Sequence, residues 1–118
     1  MSSLNTIVVN PQKYFGSGNA ITSRTVGTNV STLVTPAANT NGVVIYHALA
    51  VTAGTGVASV GVDTSAPVAW GDAILLAVSV ATYGSSPSQT PLFIPAGLGL
   101  YTVGTAASVY RYVIYEVL

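Results

Sequence analysis

Apolar and polar residues alternate with a period of two along most of this chain. Short clusters of Gly, Pro, Asn and Ser interrupt the alternation. A period of two puts successive side chains on opposite faces of an extended strand. The last stretch shows it most fully. Over Ser108 to Leu118, Val109, Arg111, Val113, Tyr115 and Val117 alternate with Tyr110, Tyr112, Ile114 and Glu116. The pattern predicts strands at Ala20 to Gly27, Thr28 to Thr35, Gly42 to Thr52 and Val57 to Val62. In the first of these, Ile21, Ser23 and Thr25 oppose Thr22, Arg24 and Val26; in the second, Val30, Thr32 and Val34 share a face.

Asp72 to Ala81 holds the longest unbroken apolar run, Ala73 to Val78. Its composition also suits a helix that Asp72 would cap. The alternation of Val78 and Val80 and the close bounding turns favour a strand buried on both faces. Tyr83 to Thr90 reads as a flexible loop. Pro91 to Tyr101 reads as strand, turn, strand: Leu92, Phe93 and Ile94 are followed by Pro95, whose φ is fixed, and Gly97, which tolerates positive φ. Pro95 and Gly97 are therefore the structural turn. No amphipathic helix of normal length competes. The expected fold is a single-domain, all-β antiparallel sandwich, jelly-roll-like, with roughly eight or nine short strands.

Residues 1 to 19 form a separate unit in this reading, an N-terminal arm or a first edge strand, and residues 20 to 118 the sandwich. The segment carries one apolar run (Ile7, Val8, Val9) and one aromatic pair (Tyr14, Phe15), followed by a Gly16-Ser17-Gly18-Asn19 hinge. It has too little apolar surface to fold alone. It can add a strand to an exposed edge of a neighbour, with Tyr14 and Phe15 anchoring the crossing. The alternative is that it pairs within its own sandwich.

Composition alters this picture in one respect. Half of the 118 residues are hydrophobic and only 5% are charged, and Lys13, Arg24 and Arg111 balance Asp63, Asp72 and Glu116. An average globular protein is about one quarter charged. Zero net charge excludes the clustered basic footprint of a nucleic-acid binder and a polybasic membrane patch. So uncharged a surface is poorly protected against association. Much of it is therefore expected to be covered by partner subunits or other proteins. No signal-peptide pattern is expected at the start, and no run approaches the ~20 apolar residues of a membrane helix.

Candidate chemistry is sparse. There is no Cys, which excludes disulfides and thiolate metal sites. His47 is the only histidine, and no Gly-x-Ser-x-Gly elbow accompanies it. One His and three scattered carboxylates do not make a metal site. Gly54-Thr55-Gly56 and Gly97-Leu98-Gly99 lack the phosphate-binding continuation and read as turns. Asn29-Val30-Ser31 fits the N-glycosylation pattern as a chance match. No enzyme and no cofactor is expected. Trp70, in the Pro67 to Asp72 connection, can close the core, stack on a sugar ring or anchor an interface. Tyr110 and Tyr112 share a strand face and are the other interface candidates. Arg111, on an apolar face, needs a carboxylate partner or a carbonyl, with Asp72, Asp63 or a neighbouring subunit as candidates.

Three phrases carry a resemblance: Thr35-Pro36-Ala37-Ala38-Asn39-Thr40-Asn41-Gly42-Val43-Val44-Ile45, Gly71-Asp72-Ala73-Ile74-Leu75-Leu76, and Phe93-Ile94-Pro95-Ala96-Gly97-Leu98-Gly99-Leu100-Tyr101. With the strand that ends the chain, they resemble small β-sandwich structural proteins of tailed bacteriophages, over residues 28 to 118. The resemblance implies a non-enzymatic virion protein, a capsid decoration or cement protein made in the host cytoplasm and placed on the capsid surface. It implies a homo-oligomer, often a trimer, bound to the major capsid protein or other virion proteins. A tail or fibre component is the nearest alternative, and a carbohydrate-binding sandwich using Trp70 is another.

Overall fold

The computed structural model describes residues 19–80, 83–87 and 91–118, with the backbone alone for 83–87. Ile7, Val8, Val9, Tyr14 and Phe15 lie outside the described residues. Among the described residues there are nine strands and one turn of 3-10 helix, Trp70–Asp72. The strands are β1 (Ile21–Val26), β2 (Asn29–Val34), β3 (Val43–Ala53), β4 (Ala58–Asp63), β5 (Ile74–Ser79), β6 (Tyr83–Pro87), β7 (Leu92–Ile94), β8 (Gly99–Gly104) and β9 (Tyr110–Val117).

They form two antiparallel sheets. The first has the order β1-β9-β3-β6, with β7 also on β3; the second has the order β2-β8-β4-β5. The strands pair from the outside inwards: β1 with β9, β2 with β8, β3 with β6 and β7, β4 with β5. This is one long antiparallel ribbon rolled up until β9 meets β3 and β8 meets β4. That winding is a jelly roll, and the sandwich expectation holds. β6 and β7 occupy one position: β6 pairs Leu49 to Ala53 and β7 pairs Val43 to Ile45 of the same β3.

Between the sheets lies a core of small and medium apolar side chains, among them Val43, Ile45, Val60, Leu100, Val109 and Val113. Tyr115 reaches across it, donating its hydroxyl to the Leu33 carbonyl at 3.4 Å. Burial pushes that phenol's pKa up.

Four expectations need correction. Tyr83 to Pro87 is a strand, not a loop. Its Ser and Gly content hides it, but backbone groups alone supply its ladder to β3, and a Pro is tolerated at a strand end. β5 is not buried on both faces. It sits at the edge of its sheet, and Ile74 is 65% exposed. In β2 a bulge between Thr32 and Val34 breaks the shared face, so Val34 enters the core while Val30 and Thr32 stay outside. Arg111 has no carboxylate partner among the described residues; its partners are set out below.

Candidate interaction surfaces

The bulge in β3 decides what the first sheet shows to the outside. Counting by two from Val43 and Ile45, His47 would point into the core. The register shifts between Ile45 and His47, so Ala48, Ala50 and Thr52 face inwards instead. His47 is thereby turned outwards, edge-on to Tyr112 with ring centroids 6.1 Å apart. Tyr110, Tyr112 and Ile114 of β9 lie at the centre of this outer face. Their cross-strand neighbours are Val51, Leu49 and His47 on β3 and Val26, Arg24 and Thr22 on β1. Tyr110 and Tyr112 are half-buried, and the Arg24 guanidinium sits 5.4 Å from the Tyr110 ring centre. Tyr46, the bulged residue, donates to Glu116 Oε1 at 3.2 Å. Burial first, then the Glu116 charge and that hydrogen bond, raise the Tyr46 pKa. The sequence-predicted pair Tyr110 and Tyr112 therefore does share an outer, largely apolar face.

The Pro95–Gly97 turn is exposed, and Gly97 has φ +90°. What holds the turn is Asn39, only 1% exposed. Its Nδ2 donates to the Pro95 carbonyl at 2.8 Å and the Leu98 carbonyl at 2.9 Å. Its Oδ1 accepts from Gly42 N at 2.8 Å, and its own carbonyl accepts from Gly97 N at 2.9 Å. One amide thus ties the β2–β3 turn to the β7–β8 turn. Nothing in the Asn39-Thr40-Asn41-Gly42 string distinguishes this Asn from Asn41, which is exposed.

Arg111 is fully buried on the inner face of β9. Its Nη1 donates to the Gly27 carbonyl at 2.8 Å and its Nη2 to Asn29 Oδ1. Nε has no partner among the described residues. Burial without a counter-charge lowers the guanidinium pKa. The guanidinium lies over Gly104, where a Cβ would collide with Nη1 and with the Gly27 carbonyl oxygen. Glycine is required there for space alone.

Trp70 does not close the core between the sheets. The connection from β4 to β5 folds over the outer face of the second sheet, beside β8. The Asp72 carboxylate fixes it, accepting from Val68 N at 3.1 Å and Ala69 N at 3.0 Å. Half-buried Trp70 and Val68, the latter 90% exposed, form one wall of a cleft of about 330 Å³. Thr28, Asn29 and Val30 form the other wall, with Val103 and Gly104 between them. Sequence reading missed Thr28 and Val30 here and saw Asn29 only as part of a glycosylation pattern.

Among the described residues no group of three or more His, Asp or Glu could hold a metal, and no helix is long and apolar enough to cross a membrane. No family model, curated protein or solved structure matches the chain.

Proposed function

We propose that the protein is a non-enzymatic structural protein of a bacteriophage virion, acting as a capsid decoration or cement protein. The observation that carries this reading is the outer face of the first sheet. Tyr110, Tyr112, Ile114, Leu49 and Val51 lie side by side there, on a chain that is only 5% charged. Contiguous apolar faces of this kind mark sites covered by other proteins. The exposed Val26 and Phe93 extend the apolar surface of the same sheet. The mechanism is mechanical. Apolar area removed from water between subunits, at about 25 cal/mol per Å², offsets the cost of association and ties neighbouring lattice units together.

In this reading the chain forms a homo-oligomer, with a trimer preferred, and docks on the major capsid protein. Native mass spectrometry of the purified protein and co-sedimentation with emptied heads of the parent phage test it. The expected result is a defined oligomer that pellets with heads, and a Tyr112→Glu variant that melts normally but neither oligomerises nor pellets. Deletion of residues 1 to 19 is expected to leave the sandwich folded and to weaken assembly. A stable monomer at micromolar concentration that ignores heads sinks the proposal, while pelleting with tails alone assigns the protein to the tail.

A further inference from the structure

The turn before β3 holds a reactive pair that the assembly reading does not use. Of the asparagines in the chain, only Asn41 is followed by glycine. In that pair no Cβ shields the backbone nitrogen that can attack the asparagine side chain. The fold fixes the glycine. Gly42 has φ +109°, and a Cβ there would meet the Phe93 ring at 2.5 Å. Asn41 itself is exposed, in the bend that leads into β3. The same fold also holds the attacking atom. Gly42 is buried; its N–H donates to Asn39 Oδ1 at 2.8 Å, and its carbonyl accepts from Leu118 N at 2.9 Å. Asn39 Nδ2 is engaged by the Pro95 and Leu98 carbonyls, so Oδ1 cannot turn away without breaking two further bonds. The nitrogen must lose its proton before it attacks, and here a buried acceptor keeps that proton.

We propose that Asn41 is a site of spontaneous deamidation and that the Asn39 amide gates it, so that the reaction runs only when this turn opens. In the open turn the Gly42 nitrogen gives up its proton and attacks Asn41 Cγ. The bond from Cγ to the side-chain NH2 breaks, ammonia leaves with a proton, and a cyclic imide forms. Water then adds to either imide carbonyl and opens the ring to aspartate or isoaspartate. The product carries one negative charge more, on a chain whose formal net charge is zero. Isoaspartate also lengthens the main chain by one atom just where Asn39 spans to Gly42. Neither the reaction nor its gate needs a partner molecule.

The full chain is incubated at pH 8 beside an acetylated Thr-Asn-Gly-Val peptide, the Thr40 to Val43 sequence. Isoelectric focusing follows the acidic product, and fragment masses locate it. The folded protein is expected to react at Asn41 before any other asparagine, and at least tenfold more slowly than the peptide. Exchange of the Gly42 amide hydrogen, measured by NMR on the unaltered protein, reports how often the turn opens. The slowing of deamidation against the peptide is expected to match the slowing of that exchange to within about threefold. Asn39→Ala removes the acceptor and is expected to recover most of the peptide rate. Arg111→Ala, destabilised at the other end of the sandwich, keeps the acceptor and is expected to stay protected. Equal rates in folded protein and peptide overturn the gate, as does a mismatch between the two protections. First reaction at another asparagine overturns the site. Equal acceleration by Arg111→Ala and Asn39→Ala, or none in a folded Asn39→Ala, overturns the role of Asn39. Failure of the protein to pellet with heads leaves each of these readouts unaffected.

Discussion

Removing the Asn39 side chain should cost far more stability than its place in a polar turn suggests. Asn39→Ala deletes two bonds donated to the Pro95 and Leu98 carbonyls and one accepted from Gly42 N, all between 2.8 and 2.9 Å. The side chain is almost wholly shielded from water, so its former partners cannot be fully resolvated. At roughly 1 kcal/mol net per bond, with more for any group left unpaired, the loss is about 3 kcal/mol. For a domain of this size, with a urea m-value of about 2 kcal/mol/M, the unfolding midpoint drops by about 1.5 M. Asn39→Asp sharpens the test because it is nearly isosteric. It keeps the acceptor for Gly42 N but turns an oxygen towards two carbonyls. That arrangement favours the protonated carboxyl, so its folded pKa lies above the ordinary value of about 3.9. The variant is then weakest at neutral pH, and its deficit against the parent narrows as pH falls through the raised pKa, when a donor returns. Urea titrations of parent and both variants at pH 7 and pH 4 measure this. A deficit under about 0.5 kcal/mol for Asn39→Ala, or an Asn39→Asp deficit independent of pH, would show that the two turns are held by something else.

Gly97→Val and Gly104→Ala should fail for different reasons. Gly97 has φ +90° and open space around it, so the cost is backbone strain of about 1–2 kcal/mol, whereas Gly104 has ordinary φ but no room, and about 3 kcal/mol or loss of soluble protein is expected. Equal melting temperatures for the parent and either variant would contradict the respective argument. Arg111→Met should cost less than Arg111→Ala, since it refills most of the volume and removes a charge without a counter-charge, at the expense of the bonds to Gly27 and Asn29, while Arg111→Ala also leaves a cavity and costs about 2–4 kcal/mol; equal losses measured by urea unfolding would refute this. Burial raises the pKa of Tyr46, Tyr101 and Tyr115. The stability associated with these neutral phenols is intact below the unfolded value of about 10 and is lost as pH rises through the folded values. Tyrosinate absorbance should therefore rise together with loss of β circular dichroism in an alkaline titration, and full ionisation in a still-folded protein would refute it.

The strand positions follow from local alternation, and so were legible in the chain itself. The stretch Ser108 to Leu118 holds β9, Tyr110–Val117, and Val109, Arg111, Val113 and Tyr115 are buried as the period of two requires. The Pro95–Gly97 turn followed equally from a fixed φ and a glycine. The all-β class and the pairing of Tyr110 with Tyr112 on one face needed nothing more. Tertiary structure decided whatever depends on a partner distant in sequence. Period two carries no mark of where an extra residue enters a ladder, yet the bulges at Tyr46 and Leu33 send His47 outwards and Val34 inwards. A Ser-rich stretch carries no apolar signal, yet β6 exists because β3 offers it an open edge. Asn39 and Asn29 are ordinary turn and strand-end residues by composition. They acquire their roles from Pro95 and Leu98 in one case and Arg111 in the other, residues 56, 59 and 82 positions away. A hydrogen-bonding side chain states what it can donate or accept, and only the folded chain determines what it meets.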